Sequence, residues 1–256
     1  MLKESTPADA TGLPRAQTTY LVLAAAFSVV LVLTNIIGVK LFVLFPGGRP
    51  DWFPGSGSIT LTTGILTYPL TFLITDIVSE IWGLKKANFM VVLGFCMSLM
   101  MLPILSLARA LPPSPFWENP ILGLDSGALE SAFSATFFFP GLLIFASMLA
   151  YLVAQLFDVR LYHFWWKVTK GRHMWVRNNG STMISQLADT IIVNGIYLHF
   201  GLKFDWATTW SVILAVYVCK LFLAVVDTPL IYLGRSVLRS YLGLPKDAAP
   251  GSAPLA

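Results

Sequence analysis

Residues 60–82 read TLTTGILTYPLTFLITDIVSEIW, and a short basic turn, GLKKAN, follows them at residues 83–88. The stretch is long enough for a helix that crosses the hydrocarbon core of a bilayer, which takes about 20 residues. It also carries two carboxylates, Asp76 and Glu80, in its second half. Charges inside a bilayer are costly and mark functional sites. The stretch therefore predicts a transmembrane helix that contributes to a polar site.

Five further segments are apolar over a similar length. The six predicted spans cover residues 19–45, 60–82, 89–111, 137–159, 183–200 and 208–233. The composition agrees, because 56% of the 256 residues are hydrophobic and 12% are charged, whereas a soluble domain carries about 25% charged residues. We expect an all-α integral membrane protein with six transmembrane helices. It divides into a cytoplasmic N-terminal segment (1–18), a membrane domain (19–233) and a disordered cytoplasmic tail (234–256).

The basic residues predict the orientation of the chain. Twelve of them fall on one side of the predicted spans and three on the other. The first set is Lys3, Arg15, Lys85, Lys86, Arg160, Lys167, Lys170, Arg172, Arg177, Arg235, Arg239 and Lys246, and the second is Arg49, Arg109 and Lys203. The positive-inside rule places the first side, and with it both termini, in the cytoplasm. A chain that crosses the membrane three times ends on the side opposite to its start. Two halves of three helices each would therefore be inverted relative to each other.

Several function classes leave no signature in the sequence. In a membrane protein the net charge of +4 reflects orientation rather than a nucleic-acid partner. Cys96 and Cys219 lie in apolar runs, as small buried hydrophobes do, and no metal-ligand spacing occurs. The absence of a Gly-rich phosphate loop argues against ATP hydrolysis by the chain itself. We expect the lipid bilayer as a partner, and no nucleic acid, cofactor or metal.

Polar residues within the predicted spans are the candidate site residues. Charges at a helix centre cost at least ~2.5–3.5 kcal/mol each, so their presence points to function. The candidates are Asn35, Lys40, Asp76, Glu80, Gln155, Asp158, Gln186, Asp189, Lys220 and Asp227. Tyr68 is an aromatic candidate on a span that bears polar residues, where its ring could stack on a planar ligand.

Spacing and depth suggest two pairs among these residues. Asp76 and Glu80 are four residues apart and share one helix face, where adjacent carboxylates tend to share a proton. Asp189 and Lys220 lie near the middle of the fifth and sixth spans, so we expect them to form an ion pair across the hairpin. That pair is either purely structural or part of the binding site.

Other candidates have simpler interpretations that remain open. Glu80 and Asp158 lie close enough to the cytoplasmic surface to be solvated helix ends. Lys40 could extend its ammonium group outward to the interface. Asp227 could satisfy backbone groups that Pro229 leaves free. Asp76 lies deeper and follows a proline, which favours a functional role.

Five runs of sequence resemble the YhhQ-type queuosine precursor transporter family, which is vitamin-uptake-transporter-like. The runs are TNIIGVK (34–40), LTYPLTFLITDIVSEIWGLKKA (66–87), AYLVAQLFDVRLY (150–162), SQLADTIIV (185–193) and YVCKLF (217–222). The resemblance extends over nearly all of the predicted membrane region. The residues that fit the family pattern are Asn35, Pro69, Asp76, Gln155, Asp158, Asp189, Thr190 and Lys220.

The resemblance implies an importer in the bacterial inner (plasma) membrane and no enzymatic step. The implied substrate is 7-cyano-7-deazaguanine or 7-aminomethyl-7-deazaguanine, which is salvaged for queuosine in tRNA. A carboxylate, Asp76 or Asp189, would accept the N1–H and 2-amino donors of such a 7-deazapurine. Lys220 would donate to its O6 atom or else hold Asp189 in place.

The resemblance leaves the mechanism and the partners open. Facilitated diffusion and proton coupling are both compatible with the residues, and the chain could form a homo-oligomer. One alternative is a subunit that binds another planar substrate and works with an energising partner, as vitamin-binding S-components do. The other is an integral-membrane enzyme or assembly factor.

Overall fold

Helices dominate the computed structural model, which describes residues 13–38, 40–48, 50–51, 60–137, 141–170, 172–201, 203–245 and 251–253. Within these residues the long helices are α1 (Arg15–Ile37), α2 (Tyr68–Trp82), α3 (Leu84–Ala110), α5 (Gly141–Val168), α6 (Met174–Asn194) and α7 (Trp206–Tyr241). A shorter helix, α4 (Ser126–Phe137), precedes α5, and the π-helix Gly195–Gly201 extends α6. Each long helix overlaps one predicted span.

Four of the described helical segments are long and apolar enough to cross a membrane. They are Arg15–Ile37, Thr63–Trp82, Leu84–Ala110 and Trp206–Tyr241. α6 is more polar, because Arg177, Gln186 and Asp189 lie within it. The structure thus supports an all-α membrane protein, whereas the number of six spans, the orientation and the inverted halves stay predictions.

The first helix ends earlier than predicted. α1 stops at Ile37, where the N–H of Gly38 donates to the carbonyl of Thr34 at 2.9 Å, so a helix that continues to residue 45 is wrong. The next residues form a strand instead: β1 (Leu41–Val43) pairs antiparallel with β2 (Thr60–Thr62). A hairpin therefore stands where the ends of the first and second predicted spans were expected.

A short 3₁₀ helix, Thr63–Leu66, leads from β2 into α2 and packs against the end of α1. A Cβ atom on Gly64 would lie 3.2 Å from the Thr34 carbonyl oxygen, so only a glycine allows this approach without a shift. The Thr34 and Thr67 hydroxyl groups are 2.7 Å apart. These contacts fix the position at which α2 begins, and α2 is the helix that carries Asp76 and Glu80.

The last helix extends beyond the predicted membrane domain. α7 continues to Tyr241, so residues 234–241 are helical where a disordered tail was expected. Further on, the N–H of Ala253 donates to the carbonyl of Ile81 at 3.1 Å, which brings this part of the tail against the end of α2. Lys3, Arg49 and Lys246, which entered the orientation count, lie outside the described residues.

The apolar core lies where α1, α2, α3 and α5 meet. Phe27, Val78, Met90 and Val159 are fully buried within it. A Cβ atom on Gly94 would lie 2.6 Å from the Phe27 ring, so this small residue lets α3 approach α1 closely, as small residues do between membrane helices. The core holds α2 in place from its apolar side.

The opposite side of α2 is polar and faces α5, α6 and α7. Its buried polar residues are Thr71, Thr75, Asp76, Ser79 and Glu80. α5 and α6 contribute further buried polar residues, among them Gln155, Asp158, Ser185, Gln186 and Asp189. Many apolar side chains are instead exposed, including Val22, Val29, Phe89, Phe222 and Val225. This inversion suits a protein that lies in lipid and encloses a polar interior.

Candidate functional site

A small cleft lies between α2, α6 and α7; its empty space is about 260 Å³ only when the open solvent at its mouth is included, and its enclosed part has room for about one water molecule. Its lining residues are Ile65, Tyr68, Pro69, Phe72, Thr182, Gln186, Lys220, Leu223, Ala224 and Asp227. Four of them, Tyr68, Gln186, Lys220 and Asp227, are predicted site residues. Tyr68, Gln186, Lys220 and Asp227 thus come together from three helices, and their role in binding a substrate stays a prediction.

Lys220 forms an ion pair with Asp189 of the neighbouring helix α6. This confirms the predicted pairing of the two residues. The Lys220 ammonium nitrogen also lies 4.6 Å from the centroid of the Tyr68 ring, within the range of a cation–π interaction. An ammonium group has three N–H donors, and the described residues engage one of them, so donors remain for a ligand in the cleft.

Two acceptors share the lining of the cleft with Lys220. Gln186 is 4% exposed, and its side-chain oxygen has no hydrogen-bond partner within the described residues. Asp227 is half-buried and lies two helical turns along α7 from Lys220. The cleft therefore presents a carboxylate, an amide and an ammonium group beside aromatic rings.

A second polar cluster lies deeper, between α2, α5 and α6. Asp76 and Asp158 face each other there, and both are buried. The Ser185 hydroxyl donates to Asp158 Oδ1 at 2.8 Å, whereas neither oxygen of Asp76 has a donor within the described residues. Asp158 is therefore not a solvated helix end.

Gln155, one turn before Asp158 on α5, forms hydrogen bonds to α2. Its Nε2 atom donates to the Thr71 hydroxyl at 3.1 Å, and its Oε1 atom accepts from the Thr75 hydroxyl at 3.3 Å. Gln155 does not line the cleft, and both ends of its amide are engaged. In this structure it positions α2 rather than facing a ligand.

Glu80 is the centre of an ion cluster at the end of α2. Three arginine side chains contact its carboxylate: Arg177 at 3.3 Å, Arg235 at 2.9 Å and Arg239 at 3.0 Å. The Tyr162 hydroxyl donates to it at 2.7 Å. The expectation of a solvated helix end is therefore wrong, and the carboxylate that faces Asp76 is Asp158.

Two predicted site residues lie elsewhere. Asn35 donates to the Ser98 hydroxyl at 3.3 Å, which links α1 to α3. Lys40 follows the end of α1 rather than lying within a span, and it is exposed. The structure brings neither residue to the lining of the cleft.

Sequence reasoning missed Thr182, Phe72 and the arginine partners of Glu80. Thr182 and Phe72 are ordinary residues for a membrane helix, so nothing in the sequence set them apart. Arg235 and Arg239 did carry a signal. Residues four apart share a helix face, so the spacing predicts that these two side chains reach the same neighbour, although it does not identify Glu80 as that neighbour.

The fold and the site define a helical membrane protein with a polar cleft between its helices, as a small-molecule transporter needs. The model of the family described as "Putative vitamin uptake transporter" matches residues 62–234. This is more than half of the chain, and the chain belongs to that family. The match covers every residue that lines the cleft and leaves out Asn35, Lys40, Arg235 and Arg239. The protein is therefore a transporter and not an enzyme.

One curated protein is similar to most of the chain. The "Probable queuosine precursor transporter" of Bacillus subtilis (strain 168) is 28% identical over 182 residues, which is 70% of this chain and 74% of the relative. No solved structure gives a significant match.

Proposed function

We propose that this transporter imports queuosine precursors, 7-cyano-7-deazaguanine or 7-aminomethyl-7-deazaguanine, across the bacterial inner membrane for queuosine salvage. The name of the Bacillus subtilis relative supplies the substrate class. The polar groups of the cleft supply an independent argument, because their chemistry matches that of a 7-deazaguanine.

The hydrogen-bonding edge of the substrate decides which groups a binding site needs. A 7-deazaguanine presents N1–H and a 2-amino group side by side, a donor pair that one carboxylate accepts with both oxygens. Asp227 is the carboxylate in the cleft lining. Lys220 has donors for the O6 atom. The amide of Gln186 can either donate to O6 or accept from the N1–H and amino donors, because it carries both a donor and an acceptor.

The flat ring of the substrate needs an aromatic wall. Tyr68 and Phe72 stand one turn apart on α2, with ring centroids 5.2 Å apart, and both line the cleft. Such rings favour a planar ligand over a flexible one. The combination of this wall with Asp227 and Lys220 is the observation that carries the proposal.

In this proposal, the carboxylate that accepts from the N1–H and 2-amino donors of the substrate is Asp227 rather than Asp76 or Asp189. Asp189 is already engaged by Lys220, and Asp76 is not among the lining residues. Asp189 keeps a supporting role, because it orients the ammonium group of Lys220 toward the cleft.

Substrate uptake by Asp227→Asn tests the proposal. Asparagine keeps the shape but replaces one acceptor oxygen with a donor, which opposes the N1–H and amino donors of the substrate. Hydrogen bonds to charged groups contribute about 1.5–3 kcal/mol, so we expect an apparent affinity roughly 10- to 100-fold weaker. Asp205→Asn, at the exposed start of the same helix, is the matched control. Unchanged uptake by Asp227→Asn would contradict the site.

Both termini are proposed to lie in the cytoplasm. The Arg15 guanidinium lies over the Tyr241 ring at 5.7 Å, so the start of α1 and the end of α7 share one end of the helix bundle. The Tyr20 hydroxyl donates to the Lys86 carbonyl at 3.0 Å, which adds the basic turn to that end. Reporter fusions should show a cytoplasmic signal at both termini, and a periplasmic signal at either would refute this orientation.

A further inference from the structure

Asp76 and Asp158 form a pair of buried carboxyl groups that the proposed substrate cleft does not use. Asp76 is 1% exposed, and Asp158 is fully buried. The hydrogen bonds of Gln155 with Thr71 and Thr75, and of Tyr162 with Glu80, lie on either side of them along α2 and α5, which sets Asp158 opposite Asp76. The ion pairs recorded among the described residues involve Glu80 and Asp189, and neither Asp76 nor Asp158 takes part in one.

Three of the four carboxyl oxygens of the pair lack a hydrogen-bond donor within the described residues. An ionised carboxylate can only accept hydrogen bonds. Both oxygens of Asp76 and the Oδ2 atom of Asp158 have no donor within the described residues. Two unpaired buried anions opposite each other on adjacent helices are strongly unfavourable. A single proton on either residue relieves both problems, because it removes one charge and supplies the missing donor.

The surrounding charged groups favour such a proton. Besides Asp158, the titratable groups close enough to act on Asp76 are Glu80 on its own helix, Asp227 from α7 and the hydroxyl of Tyr162 from α5. Glu80 and Asp227 are acidic and oppose a further negative charge, although the arginines around Glu80 offset part of its effect. From α6, the hydroxyls of Ser181, Thr182 and Ser185 face Asp158, and as hydrogen-bond donors they favour its ionised form. The Tyr68 hydroxyl of α2 also interacts with Asp158.

Thr182 connects this pair to the cleft. It lines the cleft on one side and lies beside Asp158 on the other. Thr182 is 4% exposed, and its hydroxyl has no hydrogen-bond partner within the described residues. A hydroxyl group can both donate and accept, so Thr182 can respond to a proton on one side and to a ligand on the other.

We propose that Asp76 and Asp158 share one proton and that this proton is the coupling ion of transport. The proposal rests on the proposed function for the identity of the substrate. The proton enters from the outer side and forms an O–H bond with one carboxylate, and that O–H donates to the other. After substrate binds in the cleft and the transporter opens inward, the O–H bond breaks and water on the cytoplasmic side takes the proton. One proton crosses with each substrate molecule.

Purified transporter in proteoliposomes tests the coupling with radiolabelled 7-cyano-7-deazaguanine and a clamped membrane potential. At one proton per neutral substrate, a gradient of one pH unit supports accumulation up to about tenfold, because each pH unit is a tenfold difference in proton concentration. We expect this from the wild type and from the control Asp125→Asn, an exposed carboxylate in the loop before α4. Asp76→Asn and Asp158→Asn, which mimic the protonated carboxyl, should exchange substrate but not accumulate it.

Three results would overturn the proposal: accumulation driven by a Na⁺ gradient, wild-type accumulation that does not depend on the pH gradient, or full accumulation by Asp76→Asn.

The infrared band of a protonated carboxyl group gives a readout that needs no substrate. We expect the band in the wild-type protein and its loss in both variants. If no 7-deazapurine is taken up, the proposed function fails, and this band alone decides on the proton. An absent band in the wild type refutes the shared proton.

Discussion

Lys220 is the residue on which the chemistry of the cleft depends. Its ammonium group contacts Asp189 on α6 and the Tyr68 ring on α2, so a single side chain from α7 joins three helices. An ion pair of this kind costs desolvation energy and is weak evidence for stability by itself. Its position at the cleft gives it a second use, since the remaining donors are available to a ligand.

Two substitutions distinguish the role of Lys220 in the ion pair from its proposed role in binding a ligand. Asp189→Asn leaves the Lys220 charge without its partner, and breaking a buried pair costs about 3–5 kcal/mol. We expect a clear fall in melting temperature in detergent. Asp189→Asn combined with Lys220→Met should recover most of it, but the double variant should not transport.

The matched control for this pair is Lys203→Met, because Lys203 is exposed in the connection before α7. It should leave melting temperature and uptake unchanged. If the double variant regains uptake together with stability, the ion pair is purely structural, and Lys220 does not contact the substrate.

The helices differ in how well the sequence predicts their ends. The apolar runs predict where the long helices lie, because burial in lipid demands about 20 apolar residues. They do not reveal that α1 ends at Ile37, since Leu41–Val43 is as apolar as the helix before it. Gly38 and the pairing of that strand with Thr60–Thr62 decide the end of the helix. Pairing across a loop of this length is invisible to a local pattern.

The start of α7 offers a test at the scale of a single helix. Asp205 is its N-cap residue, accepting from the Thr208 N–H at 2.9 Å. These hydrogen bonds from Thr208 lower the pKa of Asp205 below its ordinary value. A carboxyl with a lowered pKa in the folded state stabilises the fold above its unfolded pKa and loses that effect as pH falls through the folded value. The cap is thus fully present at neutral pH.

We expect Asp205→Ala to lower the melting temperature in detergent at pH 7, because the first turn of α7 loses its capping acceptor. Asp205→Asn retains a capping oxygen and should stay close to the wild type. The deficit of Asp205→Ala should shrink as the pH falls below about 4, near the ordinary carboxyl pKa. An equal melting temperature for Asp205→Ala at pH 7 would show that the cap does not stabilise α7.

At the scale of the whole molecule, sequence reasoning identified which residues are polar inside the membrane but not how they are grouped. It paired Asp189 with Lys220 because both lie at mid-span on adjacent helices. It grouped Asp76 with Glu80 because they share a helix face, whereas the fold turns Glu80 to Arg177 and Arg239 and turns Asp76 to Asp158. Such groupings depend on which helices pack together, and no local spacing encodes that.

The resulting molecule has three polar layers along α2. Its first turn faces the cleft through Tyr68, its middle faces Asp158 through Asp76, and its last turn faces the arginine cluster through Glu80. We interpret these layers as the substrate site, the proton site and a structural anchor. The family match covers the first two layers and Glu80 and Arg177 of the third, and it stops before Arg235 and Arg239.

Complementation of a queuosine-deficient bacterium tests whether the protein imports the precursor and whether Asp227 binds it. The gene is placed in a bacterium that cannot make 7-cyano-7-deazaguanine and lacks its own importer, and queuosine in tRNA is measured after the precursor is supplied at limiting concentration. We predict restoration by the wild type and by Asp205→Asn, and a strong loss with equally expressed Asp227→Asn. Absence of queuosine despite correct membrane insertion of the wild type would contradict the account and indicate another planar substrate.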